Sequence, residues 1–230
     1  MTREFIFVKA GAMSLVLLCC AAQAQEISAA EKILFQSDQL RNVAGPKTLR
    51  YDYVRREPAG AGFSDKVEVD VGARGADGNA EVSSQFLSGD RQIALPPLSG
   101  AQGNPAVLGF LERDISEMKR MTGGSINYFR KRIRLALAEA ASVEPVSVSY
   151  AGHQVQGRKI AIRPFLNDPM QDKMRKYVAK NYEFILSDDV PGAVYRLRSV
   201  VPGEQQQGAQ KNDAVLIEET MTVAGAGSPP

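Results

Sequence analysis

The chain has 230 residues, 44% hydrophobic and 23% charged, with 28 lysines and arginines against 26 acids, one histidine, two cysteines and no tryptophan. A net charge of +2 gives no global electrostatic case for nucleic-acid binding, and the composition is that of a globular chain able to bury a substantial core. With so few cysteines and histidines, a disulfide framework and a cysteine-rich metal centre are both excluded.

Residues 1–24 read as a secretory signal peptide. Arg3 and Lys9 supply the cations, Ala10 to Ala22 the apolar run, and Ala22-Gln23-Ala24 the small-x-small end, so the mature chain is expected to begin at Gln25 and to work in the periplasm or outside the cell. The run is too short for a ~30 Å hydrocarbon core and no later segment is apolar for longer, so no transmembrane span is expected. Cys19-Cys20 raises lipid attachment as a rival, but Leu18 or Cys19 is not the small residue that normally precedes a lipidated cysteine. Removal of the leader takes both cysteines with it. Without Arg3, Lys9 and Glu4 the net charge falls to +1.

In the mature chain, Ser28-Ala29-Ala30-Glu31 is a capping-box pattern, predicting a helix of about 11 to 14 residues that ends before Gly45-Pro46. Apolar residues then alternate in 49–54 and 67–71, the Ala76 to Asn79 turn leads into 80–87, and a further turn leads to Ile93 and Leu95: an antiparallel meander. Residues 96–103 read as a loop. Asn104-Pro105 is a strong helix start, and Val107, Leu111, Ile115 and Met118 form one stripe, with Glu112, Arg113, Glu117 and Lys119 mostly off it. Thr122-Gly123-Gly124 ends that helix and Ser125 caps the next, so 104–141 is expected to be a helical hairpin covering the sheet. After Pro145 the period returns to two. Gly152 and Gly157 bracket a turn into Ile160 to Ile162, Asp168-Pro169 starts a short helix towards Met174, and Tyr182, Phe184 and Leu186 alternate up to a Val190-Pro191-Gly192 turn. Residues 195–201 pair back, 203–212 form a solvated connection, and 214–223 supply a last strand. The expected fold is one α+β domain, 25–224, with a curved antiparallel sheet of about seven to nine strands, an inserted helical hairpin, an N-terminal helix and a flexible tail at 225–230.

The candidate chemistry is sparse. His153, the lone histidine, sits in a predicted turn with no nucleophile-elbow pattern, and Asp168, Asp172, Asp188 and Asp189 match no calcium loop and read as caps and turn residues. No catalytic residue, metal ligand or cofactor is assigned. The segment Tyr128, Phe129, Arg130, Lys131, Arg132 and Arg134 suits phosphate, an acidic partner or a membrane surface, and equally a solvated helix face.

The capped N-terminal helix, the meander, the inserted helical pair and the closing hairpin with Asp189-Val190-Pro191-Gly192 together resemble uncharacterised exported proteins of proteobacteria and, more distantly, the periplasmic lipoprotein carriers of LolA-like fold. The likeness lies in element order over 26–224 and transfers no family residue. It implies non-covalent binding of a lipid, an acylated protein or another apolar molecule. The site would lie between the concave sheet and the hairpin, with Met118, Met121 and Phe129 as adaptable contacts, Tyr182 and Phe184 as lining and Gly123-Gly124 as a hinge. Ordinary core packing accounts for the same aromatic stripes. A structural or protein-interaction role in the envelope, and less favourably a carboxylate-dependent hydrolase, are the alternatives.

Overall fold

The alternation of apolar and polar residues along the chain becomes a single antiparallel sheet. The structure, a computed structural model, describes residues 26–58, 60, 62–203 and 215–225; the expected leader, most of the 203–212 connection and residues 226–230 lie outside that set. Ten strands are present among the described residues: β1 (Lys47–Arg56), β2 (Phe63–Arg74), β3 (Ala80–Phe86), β4 (Ile93–Ala94), β5 (Leu98–Ser99), β6 (Ser142–Tyr150), β7 (His153–Ile162), β8 (Asn181–Leu186), β9 (Val194–Pro202) and β10 (Val215–Val223). The two-residue strands β4 and β5 both pair with β3, and β5 falls within the segment expected to be a loop.

Strand order is β4-β3-β2-β1-β10-β9-β8-β7-β6 in a curved, unclosed sheet. Two meanders, one from each half of the chain, are thus joined through β10, which enters between β1 and β9. The hairpin of α2 (Pro105–Thr122) and α3 (Ile126–Glu139) connects one edge of the sheet to the other and packs on its inner face.

Helix α2 starts where expected and is anchored there by one side chain. Asn104 Oδ1 accepts from the Ala106 amide at 3.0 Å, while its Nδ2 donates to the Tyr51 hydroxyl at 2.7 Å and to the Gly192 carbonyl at 2.8 Å. The helix N-cap, the centre of β1 and the β8–β9 turn are thereby tied at a buried point, with every polar atom of the amide engaged. That turn is the expected type II: Gly192 has φ +74° and the Ala193 amide donates to the Val190 carbonyl at 2.8 Å. Gly109 on α2 faces the sheet so closely that a Cβ would lie 2.4 Å from the Phe86 ring, and glycine there sets how near the helix can approach.

Three local expectations are corrected. The capping box forms, with α1 (Ala29–Glu31), but the helix continues only as a π turn, Lys32–Gln36. Ser37 Oγ and Gln39 Nε2 both donate to the Ile33 carbonyl, and Gln39 Nε2 also to that of Leu34, so side chains take the acceptors that further turns would use. Gly157 does not bracket a turn. It lies inside β7, where a Cβ would stand 2.6 Å from the Leu186 carbonyl oxygen, and Ala151-Gly152 alone turns the β6–β7 hairpin. The helix expected after Asp168 is two 3-10 turns, Gln171–Lys173 and Arg175–Tyr177.

Candidate ligand-binding site

Rows of residues across the sheet show what the inner face offers. Tyr53, Met221, Leu197, Phe184 and Ile160 form one apolar row over five adjacent strands, all with no exposed surface. The neighbouring row is polar: Arg55 pairs with Glu219, Glu219 with Ser199 and Ser199 with Tyr182. Helix α2 lowers Asp114, Arg113 and Glu117 onto this row. Asp114, 1% exposed, accepts from Tyr182 at 2.5 Å, from Ser199 at 3.2 Å and from the ammonium of Lys180. Arg55 meets Glu219 at 2.5 Å and Glu117 at 3.3 Å, and Arg113 meets Glu219 at 3.3 Å.

Desolvation and the adjacent Asp114 charge push the Tyr182 hydroxyl far above its ordinary pKa, and burial with Glu219 does the same to Tyr53. Burial opposes the charge on Arg55, yet its carboxylate neighbours hold the guanidinium above its usual value. The interior beneath α2 is thus an ionic lattice. Arg113 and Glu117, expected off the buried stripe, belong to it, and Asp114 went unremarked in the sequence.

The five expected site residues do not share one cavity. Met118, Phe129, Tyr182 and Phe184 are each at most 1% exposed within the core. Tyr182 and Phe184 stack at 6.1 Å, and Phe129 stands edge-on to Phe165 at 6.0 Å. Met121 lies at the surface, 45% exposed. Phe129 does line a crevice of about 340 Å³ at the α2–α3 turn, with Gly123, Gly124 and Met170. There Gly123, φ +70°, is the left-handed C-cap of α2, and a Cβ on Gly124 would meet the Phe129 ring at 2.6 Å, so the glycine pair is a packed cap. Tyr182 lies at a groove of about 770 Å³ between α3 and β7–β8, whose other lining includes Arg132, Arg163, Glu139 and Glu183.

Of the sequence's polar candidates, His153 is exposed at the start of β7, Asp172 and Asp189 are exposed, and Asp188 forms a surface pair with Arg41 at 2.9 Å. Asp168 is buried and holds a loop to α3: it accepts from the Tyr128 hydroxyl, from the Met170 amide at 2.7 Å, and pairs with Arg132 at 2.8 Å. Burial first and Asp168 second push the Tyr128 hydroxyl up to about 12. Among the described residues no three histidine, cysteine or carboxylate side chains are grouped to hold a metal ion.

The apolar opening lies elsewhere. A groove of about 450 Å³ runs between residues 27–36 and the α2–α3 hairpin, lined by Ile27, Phe35, Leu108, Leu111, Ile115 and Ile133, with charged side chains at its edges. Ile27, Phe35 and Leu108 are 43, 41 and 49% exposed. Three large apolar side chains half in water around one depression are uncommon on a surface and mark a place where contact with an apolar partner is favourable. The groove owes its wall to Ser28, whose hydroxyl donates to the Leu137 carbonyl at 2.9 Å and so fastens the N-terminal turn to α3.

Acid should weaken the fold at α2 and at the centre of the sheet. Arg120 and Arg55 hold Glu117 below its ordinary 4.5, and Arg198 and Arg56 do so for Glu218 against the burial of that carboxylate. A depressed folded-state pKa contributes stability that is complete above the unfolded value and lost as pH falls through the folded one. Urea midpoints are therefore expected to hold from neutral pH down to about 5 and to fall below about 4.5. Glu117→Gln should flatten part of that decline; an unchanged acid limb in the variant would refute the assignment.

No family model and no curated protein matches the chain. Among solved structures it is similar to the lipoprotein LppX of Mycobacterium tuberculosis, at 9% identity and TM-score 0.31 over 81% of this chain and 89% of that one. It is also similar to a LolA-superfamily protein of Nitrosomonas europaea, at 9% identity and TM-score 0.22 over 87% and 94%. The second is a member of the superfamily that the element order resembles; likenesses this distant carry no weight for function. Among the described residues no helix is long and apolar enough to cross a membrane.

Proposed function

We propose that this chain is an exported, non-enzymatic binding protein for a lipid, an acylated molecule or another apolar ligand, acting in the periplasm or outside the cell. The observation that carries the reading is the groove between residues 27–36 and the α2–α3 hairpin, where Ile27, Phe35 and Leu108 stand exposed together. Its volume of about 450 Å³ falls within the ~300–1,000 Å³ of small-molecule sites. Burying an alkyl chain there gains about 0.8 kcal/mol per methylene removed from water. The leader-like sequence of residues 1–24 supports export. The inner face contributes stability on this reading, because a ligand placed there would have to displace close-packed aromatic side chains and a buried ionic lattice.

The exported protein titrated with decanol, a neutral single-chain probe, should show saturable binding by calorimetry. Leu108→Glu, at a half-exposed position that tolerates charge in the fold, should weaken it about tenfold, roughly 1.4 kcal/mol. Absence of saturable binding, or binding indifferent to Leu108→Glu, would overturn the groove as the site. Under that outcome the exposed apolar cluster is better assigned to a protein contact in the envelope.

A further inference from the structure

We propose that the ligand of this groove is a single-chain amphiphile with an anionic head, its chain along Phe35 and Leu108 and its head at Arg134 and Lys131. This rests on the apolar-binding reading and adds the charge of the ligand.

The apolar groove adjoins a second hollow of about 520 Å³ on α3. Ile27, Glu31, Arg130 and Arg134 line both, so the two form a continuous path from an apolar to a polar end. Glu112 is the carboxylate of that path locked to a cation. Glu26, 92% exposed, faces Lys32 at 3.8 Å, Glu31 accepts from the Ser28 amide at 3.2 Å, and Glu112 takes both arms of Arg130 at 2.6 and 2.8 Å. The cations are not so matched: Arg134 and Lys131, both exposed, make no ion pair or side-chain hydrogen bond among the described residues.

The polar end therefore presents two cationic donors without a bonded partner beside the opening of an apolar channel, an arrangement that suits a carboxylate or phosphate on one alkyl chain. The modest volume of the apolar part favours one chain over two. The concave shape favours a free amphiphile over the flat surface of a bilayer.

The exported protein should be titrated with decanoate and with decanol, and tested for co-sedimentation with vesicles of phosphatidylcholine and phosphatidylglycerol. Decanoate is expected to bind about tenfold more tightly than decanol, and the advantage should shrink as salt rises. Arg134→Gln combined with Lys131→Gln, both at exposed positions, should bring the two probes to equal affinity without lowering the thermal midpoint, and a decanoate advantage that survives would overturn the placement of the head. Equal affinity for the two probes would overturn the anionic head and leave the apolar reading standing. Failure of both probes to bind would overturn the apolar reading itself. Co-sedimentation with the anionic vesicles without saturable decanoate binding would overturn the free amphiphile in favour of a membrane surface.

Discussion

Replacing Asp114 by alanine is expected to cost about 3–5 kcal/mol of folding stability, the range for breaking a buried ion pair by removing one partner. The side chain is 1% exposed and the Lys180 ammonium it faces is 4% exposed, so the variant leaves a charge, a tyrosine hydroxyl and a serine hydroxyl in the interior without their shared acceptor. Urea unfolding measures the loss. Asp114→Leu combined with Lys180→Met should recover most of it, since an apolar pair of similar volume removes the desolvation penalty together with the attraction. A single variant within about 1 kcal/mol of the parent, inside the ordinary range for substitutions, would show that water reaches this lattice and that α2 is not pinned by it.

The second large effect is at Phe184, which lies in the apolar row between Leu197 and Ile160 with no exposed surface. Phe184→Ala should lose about 3–5 kcal/mol, combining lost transfer energy with a cavity that stacked Tyr182 cannot collapse into. The same variant separates two locations for a ligand. With the groove as the site, probe affinity stays within about twofold of the parent under conditions where both are folded. A large gain in capacity for decanol would instead locate binding between sheet and hairpin.

The strands were legible because period-two patterning survives in nearly all of them, and α2 because Asn104-Pro105 and Gly123 punctuate it at both ends. Their order in the sheet was less so. Nothing local in 215–223 says that this strand enters beside β1, because pairing partners so distant in sequence are chosen by the whole inner face.

The ionic lattice did leave a trace. Arg55 continues the phase of Leu49, Tyr51 and Tyr53; Glu219 that of Met221 and Val223; Lys180 that of Tyr182 and Phe184; and Asp114 lies beside Ile115 on the stripe from Val107 to Met118. Charges that recur in phase with buried positions on four elements point to one internal polar layer, a pattern visible only when the elements are compared. The groove left no such trace. Ile27, Phe35 and Leu108 belong to segments that meet only in space, and the early end of the N-terminal helix, set by Ser37 and Gln39, decides where Phe35 points.

The insertion of β10 between β1 and β9 bears on how the molecule is made. Tyr51 is aligned with Val223, so the two halves of the sheet have no shared edge until almost the whole described chain exists. Before β10 is in place the chain can form β1–β2–β3 or β6–β7–β8–β9, each with one inner edge open, but cannot bury the row that runs through Met221. Such non-local closure slows folding.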